Sequence, residues 1–109
     1  MRKVPERFGQ FAGEYPQILK AYESLADECH QAGPLSERER VLVRLGVAAG
    51  SYMEGAVHSQ VRKALDAGLQ PAEIRHAILL ALTAIGFPRM MAALTWAEDL
   101  LKGEASGKK

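Results

Sequence analysis

The stretch that decides the fold is residues 39–58, ERVLVRLGVAAGSYMEGAVH. It begins at a carboxylate, Glu39, and runs through an almost wholly apolar segment that predicts a buried helix. The segment breaks at Gly50-Ser51 and resumes as a helix that carries Glu54 and His58. Three ionisable side chains therefore bracket the most hydrophobic part of the first half of the chain, and we expect any reaction centre to lie here.

The rest of the chain predicts an all-α fold of five main helices. Apolar residues recur at three- and four-residue spacing, and no run of alternating residues indicates a strand. Ser36 and Glu39 have the form of a capping box, and prolines can open three of the helices. The predicted breaks lie at Gly33-Pro34, Gly50-Ser51, Gly68 and Gly86. We predict one helical domain over residues 1–103 and a disordered tail over residues 104–109.

Composition excludes several classes of function. Fourteen basic and thirteen acidic residues nearly cancel, so no field of one sign exists to attract nucleic acid or an anionic membrane. The longest apolar run is about half the roughly 20 residues that a membrane span requires. The single cysteine, Cys29, cannot form an intramolecular disulfide, and no secretory signal is evident. We therefore expect a soluble, cytoplasmic protein that binds neither nucleic acid nor a membrane.

The hydrophobic excess predicts assembly. The second and fourth predicted helices are apolar almost all round, and a helix of that kind must be buried all round. A chain of 109 residues is too small to enclose two such helices. We expect the extra surface to be buried between subunits of a homo-oligomer. The alternative is a monomer that leaves a few alkyl groups exposed.

His58 is the main candidate for chemistry. On a helix, Glu54, His58 and Arg62 form one row along the border of the apolar stripe. An imidazole beside a carboxylate can carry protons near neutral pH. The alternative is an ordinary Glu–His–Arg row on a solvated helix face. Glu39 also has an alternative role, in the capping box.

The serine, cysteine and remaining histidine residues discussed next are weaker candidates for catalysis or metal binding. Ser51 has no base at nucleophile–base spacing and fits the turn before a helix. Cys29, His30 and His76 show no metal-ligand spacing, so we predict neither a metal nor a cofactor.

Three segments carry a family resemblance. They are LSERERVLVRLGVAAG, MEGAVHSQVRKALDAGL and PAEIRHAILLALTAIGFP, which together extend over most of residues 35–93. In order, length and helix breaks this stretch resembles the carboxymuconolactone decarboxylase family, which also contains the alkylhydroperoxidase D (AhpD) proteins. The resemblance implies an AhpD-like all-helical fold assembled as a trimer or hexamer.

The peroxidase branch of that family has a glutamate, a CxxC pair twelve residues later, and a histidine four residues beyond the second cysteine. Glu39 and His58 stand at the matching positions, but Ser51 and Glu54 replace the two cysteines. Disulfide cycling needs an attacking thiolate and a resolving thiol. We therefore do not expect AhpD-like peroxidase activity.

The decarboxylase branch lacks the cysteine pair and keeps the histidine, with a glutamate about one turn before it; Glu54 and His58 are similar in kind. The resemblance implies a cofactor-free lyase or isomerase acting on a small carboxylated or lactone substrate. His58 would donate a proton, Glu54 or Glu39 would orient it, and Arg62 is a candidate for holding the substrate carboxylate. A non-catalytic oligomer that binds a small ligand is the other alternative.

Overall fold

The structure, a computed structural model, describes the backbone of residues 6–107 and the side chains of residues 6–102. It confirms the all-α prediction, since every regular element in this part of the chain is a helix. None of these helices is both long and apolar enough to cross a bilayer. The helices are α1 (Glu6–Glu14), α2 (Pro16–Gln31), α3 (Glu37–Ser51), α4 (Glu54–Asp66), α5 (Pro71–Leu79), α6 (Leu82–Ile85) and α7 (Phe87–Gly107).

The predicted number of helices was wrong in one respect that matters for packing. The sequence predicted a single helix from Pro71 to Gly86, but the chain turns at Leu80 and Ala81 and splits this segment into α5 and α6. At the turn, the Ala81 N–H donates to the carbonyl of Ile78, three residues back rather than four. Neither glycine nor proline stands at the break, so the residue pattern contains no signal for it.

The chain divides into two compact units, Met1–Pro34 and Leu35–Lys109. The first contains α1 and α2, which meet at Tyr15, where the ring of Phe11 lies 5.4 Å from that of Tyr15. Neither helix of this unit contains a buried residue. Of the expected tail, residues 104–107 belong to α7, and Lys108 and Lys109 lie outside the described residues.

The second unit contains the hydrophobic core, to which α3, α4, α5 and α7 all contribute. Leu45 from α3, Val61 from α4 and Ile78 from α5 are at most 1% exposed. Complete burial of a side chain of this size contributes about 1.5–3 kcal/mol to folding. α7 contributes buried residues at three- and four-residue spacing to the same core: Met90, Ala93, Ala97 and Leu101. It therefore packs against both α4 and α5.

Two capping boxes start helices of this unit. The predicted one is present: Ser36 Oγ accepts from the Glu39 N–H at 3.1 Å, and Glu39 Oε1 accepts from the Ser36 N–H at 2.8 Å. A second box joins Gln70 and Glu73 at the start of α5. The side chains of Arg38 and Glu73 form an ion pair that connects the starts of α3 and α5.

Candidate active site

The connection between α3 and α4 sets the position of the site. Ser51 ends α3, and its hydroxyl donates to the Ala48 carbonyl at 2.7 Å while accepting from the Met53 N–H at 3.2 Å. Tyr52 follows in the left-handed conformation, with φ of 59°, and Met53 is extended. The serine hydroxyl is therefore engaged in the turn, as its sequence context indicated, and α4 starts directly at Glu54.

His58 lies on α4 and faces α7. Its Nε2 is 2.9 Å from Asp99 Oδ2 and 3.9 Å from Glu54 Oε2. The histidine side chain is 25% exposed, whereas the two carboxylate side chains are 58% and 53% exposed for Glu54 and Asp99. The predicted Glu54–His58 row therefore exists, but the hydrogen-bonding partner of His58 is Asp99.

Sequence reasoning missed Asp99. It lies 41 residues after His58, next to Glu98 on α7. Only the packing of α4 against α7 brings the two side chains together. No spacing rule for local pairs on a helix reaches that far, since such rules connect residues three or four apart.

The contact assigns a tautomer to the neutral imidazole. A carboxylate accepts hydrogen bonds, so Asp99 requires the proton of His58 to be on Nε2. The lone pair of the neutral ring is then on Nδ1, where it can accept a proton. When the imidazole is protonated, Glu54 Oε2, 3.9 Å away, is a second carboxylate oxygen beside its positive charge. This arrangement can accept a proton and return it, with the ring held in one orientation.

Glu39 is not brought to this cluster. Its carboxylate accepts a hydrogen bond from the Ser36 N–H. Hydrogen bonding from the Ser36 backbone, followed by that from the Ser36 side chain, holds the pKa of Glu39 below its usual value. The acidic side chains that lie together with His58 are those of Glu54 and Asp99.

The three side chains could also hold a cation. Glu54, His58 and Asp99 each offer a ligand atom, and these atoms all lie within 4.8 Å of one another. This is the one such group among the described residues. It does not include Cys29, His30 or His76, whose spacing was assessed above for metal binding. The Nε2–Oδ2 hydrogen bond is a sufficient reason for the proximity of His58 and Asp99.

A second contact group joins α7 to the α3–α4 connection. The rings of Tyr52 and Trp96 lie 5.8 Å apart at an angle of 47°, and the guanidinium carbon of Arg89 lies 4.7 Å from the centre of the Tyr52 ring. Neither contact follows from helical spacing, because Tyr52 lies outside α7. Arg62, the candidate for binding a substrate carboxylate, is half-buried on α4. The pKa of Lys63 is lowered mainly by burial, then by the positive charge of Arg44, and then by that of Arg62.

Comparison with known proteins defines the class. The model of the carboxymuconolactone decarboxylase family matches residues 16–99 of the 109, which include Glu54, His58 and Asp99. The chain belongs to the carboxymuconolactone decarboxylase family. No curated protein and no solved structure is significantly similar to it. The suspected relationship is thereby confirmed.

Proposed function

We propose that the protein is a cofactor-free lyase or isomerase that carries out acid–base chemistry on a small carboxylated or lactone substrate. His58 is the proton carrier and Asp99 is the residue that positions it. The observation that carries the proposal is the 2.9 Å contact between His58 Nε2 and Asp99 Oδ2 in a member of this family. Glu54, at 3.9 Å, is the second carboxylate of the site.

The chemistry follows from the roles of the two ring nitrogens. Asp99 accepts from Nε2, so the protonated ring presents Nδ1–H to the substrate. In a decarboxylation, the bond between the substrate carbon and its carboxylate breaks, CO₂ leaves, and the electron pair moves into an adjacent lactone carbonyl. Nδ1–H then protonates that carbon, and the imidazole regains a proton from solvent. An isomerisation uses the same ring first to remove a proton from carbon and then to return it.

The protein lacks the pair of cysteines that thiol peroxidase chemistry requires. Ser51 and Glu54 stand at the positions of the CxxC pair, and the Ser51 hydroxyl is engaged by Ala48 and Met53. Cys29 is the only cysteine of the chain, so it has no intramolecular resolving thiol. These features favour the acid–base proposal over the peroxidase alternative.

We also propose that the chain forms a homo-oligomer, a trimer or hexamer by its family resemblance. Support comes from large apolar side chains that remain exposed on the second unit: Val43 and Val47 of α3 are 55% and 68% exposed, and Leu80 and Phe87 are 65% and 60% exposed. Burial of such side chains between subunits would be favourable. Light scattering tests this, and a mass that stays near the 11.9 kDa of one chain at micromolar concentration contradicts it.

The catalytic proposal is tested by incubating carboxylated lactones and unsaturated keto acids with the protein in D₂O. Proton NMR then reports both loss of CO₂ and exchange of carbon-bound hydrogen. For a substrate that turns over, His58→Ala is expected to lower the rate by about 10²–10⁴-fold, the usual contribution of general acid–base catalysis. His76→Ala, which removes an exposed histidine, is the matched control. An unchanged rate in His58→Ala refutes the proposal, and ligand binding without any product would favour a non-catalytic binding protein.

A further inference from the structure

We propose that Arg89, Tyr52 and Trp96 form a binding subsite for the carboxylate end of a planar, conjugated or aromatic acid. We call these three residues the acid subsite. It lies along the same side of α7 as Asp99, and its assignment to the substrate rests on the function proposed for His58. Its capacity to bind such an acid can be tested separately.

The planar component of the ligand is inferred from the aromatic pair. Tyr52 is 54% exposed although the centre of its ring lies 5.8 Å from that of Trp96. Tyr52 is also the only non-glycine residue with positive φ in the described chain, which places its side chain at the connection between α3 and α4. Conjugated ligands pack favourably against aromatic rings in offset or tilted arrangements. The exposed part of the Tyr52 ring is available for such packing.

The charge of the ligand is inferred from Arg89. Its guanidinium carbon lies 4.7 Å from the centre of the Tyr52 ring, which is a cation–π contact. Among the described residues, Arg38 and Arg75 each pair with a glutamate, whereas Arg89 contacts the ring of Tyr52. Guanidinium groups bind carboxylates through two parallel hydrogen bonds. Arg89 is exposed, so its N–H groups are accessible to the carboxylate of a ligand.

The orientation of the ligand follows from the distribution of charge. Arg89, Trp96 and Asp99 are separated by seven and three residues on α7, spacings that keep them on one side of a helix. Asp99 and Glu54 are both carboxylates beside His58 and would repel an anionic group placed there. The carboxylate of a ligand is therefore favoured at Arg89, with its conjugated body extending along Tyr52 and Trp96 towards the imidazole.

The test uses trans-cinnamate as the probe and trans-cinnamamide as its uncharged equivalent. Trp96 is the only tryptophan of the chain, so a single indole N–H peak in a ¹H–¹⁵N spectrum reports on the acid subsite. We expect trans-cinnamate to shift this peak in a saturable way and trans-cinnamamide to bind about tenfold more weakly. Arg89→Gln should weaken the binding of cinnamate by a similar factor and leave that of the amide unchanged. Arg7→Gln, which removes an exposed arginine on α1, is the control and should change neither.

Three results would overturn the proposal: no saturable shift with cinnamate, equal weakening of acid and amide by Arg89→Gln, or an equal or larger loss for Arg7→Gln. Equal weakening would mean that Arg89 only supports the Tyr52 ring. The same titration with His58→Ala separates this proposal from the catalytic one. If that variant binds cinnamate normally but has no turnover, both proposals stand. If it turns over normally while Arg89→Gln alone loses cinnamate binding, only the catalytic assignment fails.

Discussion

His58 Nε2 and Asp99 Oδ2 lie 2.9 Å apart although 41 residues separate them in the chain. The contact connects α4 to α7, the two helices whose apolar faces share the core beneath it. It replaces Glu54 as the group that orients the imidazole, because Glu54 Oε2 is 3.9 Å from the same nitrogen. A local carboxylate one turn away is therefore less important for the ring orientation than a distant one supplied by packing.

Asp99→Asn is expected to lower kcat by about 10–100-fold, since the amide can present its N–H₂ group to Nε2 and favour the wrong tautomer. KM should change less, because Asp99 touches the ring rather than the substrate. The measurement is steady-state kinetics on a substrate found by the D₂O screen. Glu37→Gln, which removes an exposed carboxylate in the first turn of α3, is the control. Equal effects of the two substitutions would contradict the positioning role.

Ser36→Ala is expected to reduce the free energy of unfolding by about 1 kcal/mol, the usual effect of losing a helix N-cap. Glu39→Ala should also lower stability, because it removes the carboxylate that accepts from the Ser36 N–H. Neither change should alter turnover if Glu39 acts only in the capping box. Urea unfolding and kinetics on the same samples check both statements. A stable Glu39→Ala variant with reduced kcat would instead return Glu39 to the catalytic site.

Acid is expected to destabilise the protein through the Arg75–Glu98 pair, whose atoms Nε and Oε2 are 2.6 Å apart. The hydrogen bond from Arg75 is the main reason that the pKa of Glu98 lies below its ordinary value near 4.5. A carboxyl with a lowered folded pKa stabilises the protein above its unfolded pKa, and this stabilisation disappears as the pH falls through the folded value.

Unfolding by urea at pH 7, 5, 4 and 3 should therefore show a decrease confined to the range below about pH 4.5. Glu98→Gln should be less stable than the parent at pH 7 and should lose less on acidification. The carboxyls of Glu39 and Glu73 also have lowered pKa values, so a smaller acid effect remains in the variant. Parallel pH curves for the variant and the parent would contradict the role of the pair.

Ile78→Ala is expected to cost about 2–5 kcal/mol, because this side chain is fully buried between helices and its removal leaves a cavity. The neighbouring Leu79, 49% exposed, is the matched control, and Leu79→Ala should cost less than the core substitution. Thermal and chemical unfolding of both variants at the same protein concentration provide the comparison. Similar losses would mean that Leu79 is buried in an assembly.

Hydroperoxide consumption with a thiol reductant is expected to stay at the rate without protein. Cys29 is exposed and is the only thiol of the chain, so a catalytic disulfide cannot form within one subunit. Cys29→Ser is the control. A measurable activity that this substitution abolishes would show that a cysteine between subunits, or a small thiol, can complete the redox cycle.

Local interactions explain what could be predicted from the sequence. The apolar periodicity of residues 39–49 and 57–64 determines which helix faces are buried, and Leu45, Val57 and Val61 are indeed in the core. The Ser36–Glu39 box and the turn at Ser51 depend on residues within four positions of each other, so their sequence signals were sufficient. The proximity of Glu54 and His58 follows from the same helical spacing.

Tertiary packing alone decided the rest. The partnership of His58 with Asp99, and that of Tyr52 with Trp96 and Arg89, require α7 to lie beside α4 and the α3–α4 connection. The split at Leu80 is equally invisible in the residue pattern, because an apolar helix without glycine or proline has no local reason to turn there. The sequence by itself determined most of the helices, the Ser36–Glu39 cap and the position of His58 on α4. The identity of the groups facing that histidine depended on how the helices pack, since burial of apolar surface is non-directional and does not specify which polar residues meet at its edge.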